Sequence, residues 1–317
     1  MSLTPLSVSA GSVATRRFFL VGYLPTYAGI WYLLALVWAG APGEGLDPSR
    51  AWRTMTRLGA GEIMLTALAV ILTAVVTAPL QLSLVRLLEG SWPRWLGAGL
   101  GVRWQRVRKR RMAEAALLPQ DEEPTPAAVQ RAGAADARLR RCFPAAGHLL
   151  RPTALGNVLT AMEDTAGRMY GMDAVVAWPR LYPVLGAAAR AVVDDRRDNL
   201  DTSARLTVMG LVVAVASAVL LMRSGWWALL ALVPLLVSLV AYAGAVRAAL
   251  AYAEAVHVAF DLHRFDLLRA LRLPEPSDME AETKANEALC DLWRQGIATP
   301  LAYEHRDQDG EATGATA

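Results

Sequence analysis

LTVMGLVVAVASAVLLM, residues 206–222, and SGWWALLALVPLLVSLVAYAGAV, residues 224–246, stand on either side of a single arginine, Arg223, and contain no charged side chain. A run of about 20 apolar residues matches the hydrocarbon thickness of a bilayer, and a helix there satisfies its own backbone hydrogen bonds. The first of the two is short, 17 residues, but the long side chains of Arg205 and Arg223 can snorkel and extend it. Two earlier runs, residues 18–43 and 63–85, have the same uncharged character. The fold class expected is an all-α integral membrane protein. It has four transmembrane helices, a helical cytoplasmic domain between the second and third, and a long cytoplasmic extension of the fourth.

Six regions follow. They are a cytoplasmic tail (1–16), a first transmembrane hairpin (17–89), a cytoplasmic helical domain (90–204), a second hairpin (205–246), a stalk helix (247–273) and an acidic tail, partly disordered (274–317). Arg16 and Arg17 precede the first run as in a secretory signal. Its 26 uncharged residues (18–43) exceed a signal core of about 7–15, so a retained anchor is expected.

Orientation is read from the basic residues flanking each run, which stay on the cytoplasmic side. Seven fall between Arg94 and Arg111 with no acidic residue among them. Arg103, Arg106, Arg108, Lys109, Arg110 and Arg111 form a basic cluster expected at the membrane interface, against anionic headgroups. Arg247, Arg264, Arg269 and Arg272 after the fourth run agree; Arg50, Arg53 and Arg57 between the first two runs conflict but are outnumbered. Both termini are thus expected in the cytoplasm. Of the 32 basic residues only Lys109 and Lys284 are lysine, a bias expected of a GC-rich bacterial genome and hence of a bacterial inner membrane. Basic residues interleaved with Trp92, Trp95 and Trp104 could also contact nucleic acid. Topology and lipid account for them more simply, and no nucleic-acid partner is expected.

In the long intervening segment, residues 119–126 read as a linker and a helix is expected over about 127–143. Another opens at Thr153, which can cap it. Residues 175–185, twice interrupted by proline, leave two readings open: a core segment or one lying in the inner interface. Residues 185–205 run without a breaker into the third span. The fourth continues to Pro274, so residues 224–273 would make a helix about 75 Å long. Ala241, Ala245, Ala249 and Ala253 form a ladder of small residues at four-residue spacing that allows close helix packing. A last helix is expected over 281–295, with Leu289 and Leu292 on its apolar face.

Chemistry is thinly written. Glu254, His257 and Asp261 share a stalk face, and Glu-x-x-His is the spacing of carboxylate-bridged di-iron bundles. Such sites need a second copy of the motif, and none occurs, so a solvated stripe is the expectation and no metal or cofactor is assigned. Cys142 and Cys290 are too few for a thiolate cage. His148 and His263 lack a nucleophile nearby in sequence. Gly97, Gly99 and Gly101 mimic part of a dinucleotide fingerprint but follow a membrane run rather than a strand; flexible interfacial backbone is expected there. No phosphate loop with its lysine is present. The four runs hold no ionisable residue, which disfavours coupled proton transport. Thr66, Thr73 and Thr77 share one face of the second run and could line a pore in an oligomer.

The reading is a membrane anchor or scaffold that presents a helical cytoplasmic body to a partner protein, as a homo-oligomer; the alternative is an oligomeric channel, and no enzymatic activity is assigned. Cysteines introduced at Ser49 and at Ala127, with Cys142 and Cys290 removed, are expected to react from opposite faces of sealed cells. Equal reaction with an impermeant reagent would contradict the four-span topology.

Overall fold

The computed structural model describes residues 25–93, 95, 97–118, 125–297 and 303, except the side chains of residues 74 and 76–82. Arg16, Arg17 and Arg94, the first part of the first run, most of the 119–126 linker and nearly all of the chain beyond Ile297 lie outside the described residues. No strand occurs among those described, and the elements are helices: α1 (25–38), α2 (Pro48–Arg57), α3 (Ala60–Leu88), α4 (Ala98–Ala115), α5 (Pro126–Cys142), α6 (Ala154–Thr165), α7 (Ala174–Leu181), α8 (Ala187–Leu220), α9 (Leu232–Ala270) and α10 (Met279–Gln295). The chain divides into two compact units. Unit 1 holds residues 1–93 and 197–248, and unit 2 holds 94–196 and 249–317, so α8 and α9 contribute to both.

Two helices are long and apolar enough to cross a membrane: α8, and α9 together with the 3₁₀ stretch before it. A third candidate is the pair of α2 and residues 60–73 of α3, bent by 112°. The structure therefore carries two or three candidate spans.

In unit 1, α8 and α9 pack antiparallel and close. A Cβ on Gly210 would lie 3.0 Å from Pro234 O and from Ser238. Ser238 Oγ donates to Thr207 O at 2.8 Å. Ala241 and Ala245 are buried on this seam. A small apolar cluster of Leu36, Ala39, Ala41, Leu46 and Leu221 collects Tyr32, Trp227 and Leu230 around it. Tyr32 donates its hydroxyl to Leu230 O at 2.8 Å, and Ser224 Oγ donates to Gly43 O at 2.7 Å. Outward, Val212, Val215, Val219, Leu236, Leu239 and Val240 are exposed. In water such faces would be a severe liability; against lipid tails they cost nothing.

Unit 2 has a soluble-type core. Ala177, Leu181 and Leu185 of the proline-interrupted segment bury against Val193 of α8 and Val256, Ala259 and Phe260 of α9. That settles the open reading of residues 175–185: the segment packs in a core, and Pro179 is accommodated inside α7. Thr153 caps α6, accepting from Gly156 N. Asn157 secures the loop ahead of it, accepting from Arg151 N at 2.8 Å and donating to Arg151 O and Thr153 O.

Between the first two runs lies α2, capped by Asp47, whose carboxylate accepts from Ser49 N. Three expectations are corrected. The glycines 97–101 are not flexible backbone: Gly97 opens α4 with φ 79°, and Gly101 lets the helix close onto Pro152, where a Cβ would sit 2.6 Å from Pro152 Cβ. The fourth run does not begin as α-helix. Residues Gly225–Ala231 are 3₁₀, with Trp226 stacked on Trp227 at 4.1 Å. Finally, α9 ends at Ala270, and Arg272 turns the chain at φ 57°.

The C-terminal part of α9 is no free stalk. Leu268 and Leu273 pack against Leu289 of α10. Arg264 Nε donates to Glu282 Oε1 at 2.7 Å, a largely buried pair, while the guanidinium also covers the Tyr170 ring at 4.0 Å. Asn286 Nδ2 donates to Tyr170 O. Gly171 is the tightest point of this junction, with φ +73° and room for no Cβ, which would fall 2.5 Å from Thr283 O. Gly171→Ala is expected to destabilise unit 2 by roughly 1–3 kcal/mol, read as a lower thermal midpoint and earlier proteolysis after α9. An unchanged midpoint would show that α10 is not docked as described.

Candidate functional site

The stalk triad does not converge. His257 lies beyond the uncharged run, half-buried, with Nε2 3.3 Å from Thr165 Oγ1 of α6. Asp261 Oδ1 instead accepts the Tyr170 hydroxyl at 2.9 Å. Glu254 is exposed and faces another direction, into a groove. Among the described residues no group of three or more His, Cys, Asp and Glu is arranged to hold a metal. Helical spacing put the three side chains on one face, but packing gave His257 and Asp261 different partners. Glu254 and Asp261 are exposed, as a solvated stripe requires, and the expectation is corrected only for the half-buried His257.

Burial holds the His257 imidazole below its usual pKa. Asp261 opposes that effect, and Arg141 adds to it. Cys290 is buried, its Sγ accepting from Asp173 N at 3.3 Å, and burial pushes the thiol up to about 11. It is therefore no nucleophile near neutral pH.

The basic cluster falls on α4. Arg103, Arg106, Arg110 and Arg111 are exposed. Lys109 does something the sequence did not disclose. Its Nζ donates to Pro144 O at 2.6 Å and Ala145 O at 2.9 Å, tying α4 to the end of α5. Desolvation there lowers its pKa. Arg108 lies over the Trp104 ring, 6.0 Å from its centroid.

Of the alanine ladder, Ala241 and Ala245 are buried in unit 1, and Ala249 and Ala253 in unit 2. Thr66 is half-buried, Thr73 is exposed and donates to Ala69 O of its own helix at 2.8 Å, and the Thr77 side chain lies outside the described residues.

The feature that sequence reasoning missed is an apolar groove of about 700 Å³ in unit 2, between the first turns of α8 and the middle of α9. Ala189 and Ala255 keep it shallow-walled, and Val192, Val258 and Leu262 stand exposed along it, Leu262 at 69%. Arg196 and Glu254 supply charge of both signs. His263 closes another side, its Nδ1 2.7 Å from Asp266 Oδ2. No Ser, Thr or Cys lines the groove, so the histidine and aspartate have no hydroxyl or thiol there to activate. The signal was present as alternate small and large residues on two amphipathic faces, but only the fold shows that these faces adjoin.

No protein-family model matches this chain, and comparisons with curated proteins and with solved structures return no match.

Because the folded state binds the His257 proton more weakly than the unfolded chain, this residue's contribution is fully favourable above the unfolded value. It is lost as pH falls through and below about 6.5. Thermal unfolding followed from pH 8 to 5 should show a decline on the acid side that is shallower in His257→Gln. Parallel profiles would show that His257 is not buried at the α6–α9 contact.

Proposed function

We propose that the chain is a four-span anchor of a bacterial cytoplasmic membrane, both termini cytoplasmic, whose helical unit 2 holds a partner protein, and that it acts as a homo-oligomer. The groove carries this reading. A folded helical body with its own apolar core still leaves Val192, Val258 and Leu262 in solvent, and such a surface fits the apolar stripe of an amphipathic helix. Arg196 and Glu254 would pair with opposite charges on that helix and fix its direction.

The test is a photo-cross-linking residue in place of Leu262 in native membranes. The expected product is an adduct with one distinct polypeptide, identified by mass spectrometry and reduced at least about tenfold by Val258→Glu, as befits loss of a central contact. Adducts to the same chain alone would leave a homo-oligomer with no recruited partner. No adduct, together with ion conductance by the purified protein in planar bilayers, would replace the scaffold with the channel.

A further inference from the structure

We infer that α4 is a membrane-surface helix whose outward face seats in an anionic headgroup layer. The inward face is already committed: Gln105 is buried, Gly101 closes on Pro152, and Lys109 is tied to the backbone after α5. What remains outward is not polar. Leu100, Trp104 and Val107 are 72%, 63% and 47% exposed, at spacings of four and three that place them on one strip, and Trp95, just ahead of the helix, is 81% exposed. On a helical projection Arg103, Arg106 and Arg110 fall along one edge of that strip and Arg108 along the other, with Arg111 at its C-terminal end. The helix holds no acidic residue before Glu114.

A leaflet surface uses all of this chemistry at once. The apolar strip enters the acyl boundary, the indoles sit at headgroup depth, and guanidinium groups on both edges reach lipid phosphates. A nucleic acid would use the arginines and the Trp104 face but leave Leu100 and Val107 in water. Position along the chain agrees. Only residues 89–97 separate α3 from α4, a link of about 30 Å at most. This step rests on reading the run at 63–85 as a span.

The test uses the full chain with Cys142 replaced by Ser, reconstituted in bilayer discs of zwitterionic lipid alone or with phosphatidylglycerol. An environment-sensitive fluorophore is placed singly at Val107→Cys, at Gln130→Cys on α5, or at Val215→Cys in the apolar run of α8, and quenched by nitroxide-bearing lipids. Val107 should be quenched by shallow nitroxides several-fold more than Gln130, and more strongly with the anionic lipid. Arg103→Gln or Arg110→Gln should weaken that seating about fivefold each. Quenching at Val107 equal to that at Gln130, while Val215 is quenched by deep nitroxides, overturns the inference and leaves the membrane reading standing. Absence of quenching at Val215 as well overturns both. Protection of Val107 by an added oligonucleotide but not by lipid would reassign α4 to nucleic acid. Protection that follows protein density but not lipid charge would reassign it to a second copy of the chain.

Discussion

The close antiparallel contact of α8 with α9 is the interaction on which the rest depends. In hydrocarbon, apolar side chains gain little by leaving lipid for one another. Helices there are held by tight backbone approach and by hydrogen bonds that cross between them. Gly210 against Pro234 and Ser238, and the Ser238 bond to Thr207 O, supply both. In unit 2 the same two helices meet by a different physics, through burial of Val193 against Val256, Ala259 and Phe260. One pair of helices is thus held together in two ways. The change of character follows the change in composition from uncharged runs to amphipathic stretches.

Exposure separates the units in the same way. Along their uncharged runs, α8 and α9 of unit 1 turn valines and leucines outward, as a lipid-facing surface should. Unit 2 buries a core that includes Leu181, Val256, Phe260 and Leu267, and it pairs charge at the α9–α10 junction, as with Arg264, Glu282 and Tyr170. The groove and the outer strip of α4 are two places where unit 2 groups exposed apolar side chains, and each has arginine beside it. Under the proposed function the groove takes a protein helix, and under the inferred membrane seating the α4 strip takes a leaflet.

Much of this was legible in the chain. The last two apolar runs reported helices of spanning length because length and absence of charge are properties of single segments. The Thr153 cap and the helix at α10 were readable for the same reason. What could not be read depends on contacts between segments. Lys109 looked like one more lipid-facing cation, and only the position of Pro144 and Ala145 shows it to be a structural tie. Glu254, His257 and Asp261 share a face by spacing, yet α6 and Tyr170 claim two of them. The groove needs α8 and α9 in register. The 3₁₀ start before α9 and the helix opened by Gly97 are local, but their sequences resemble turns and gave no periodic signal.

The central claim, that unit 1 faces lipid and unit 2 faces water, is tested most directly by carbene labelling with two reagents in native membranes, mapped by mass spectrometry. The account predicts that a lipid-resident carbene modifies the α8 and α9 faces at Val212, Val215, Val219, Leu236 and Val240. A water-soluble carbene should instead modify Val192, Val258 and Leu262. Modification of the first set by the water-soluble reagent, with the lipid-resident one spread over both units, would contradict it.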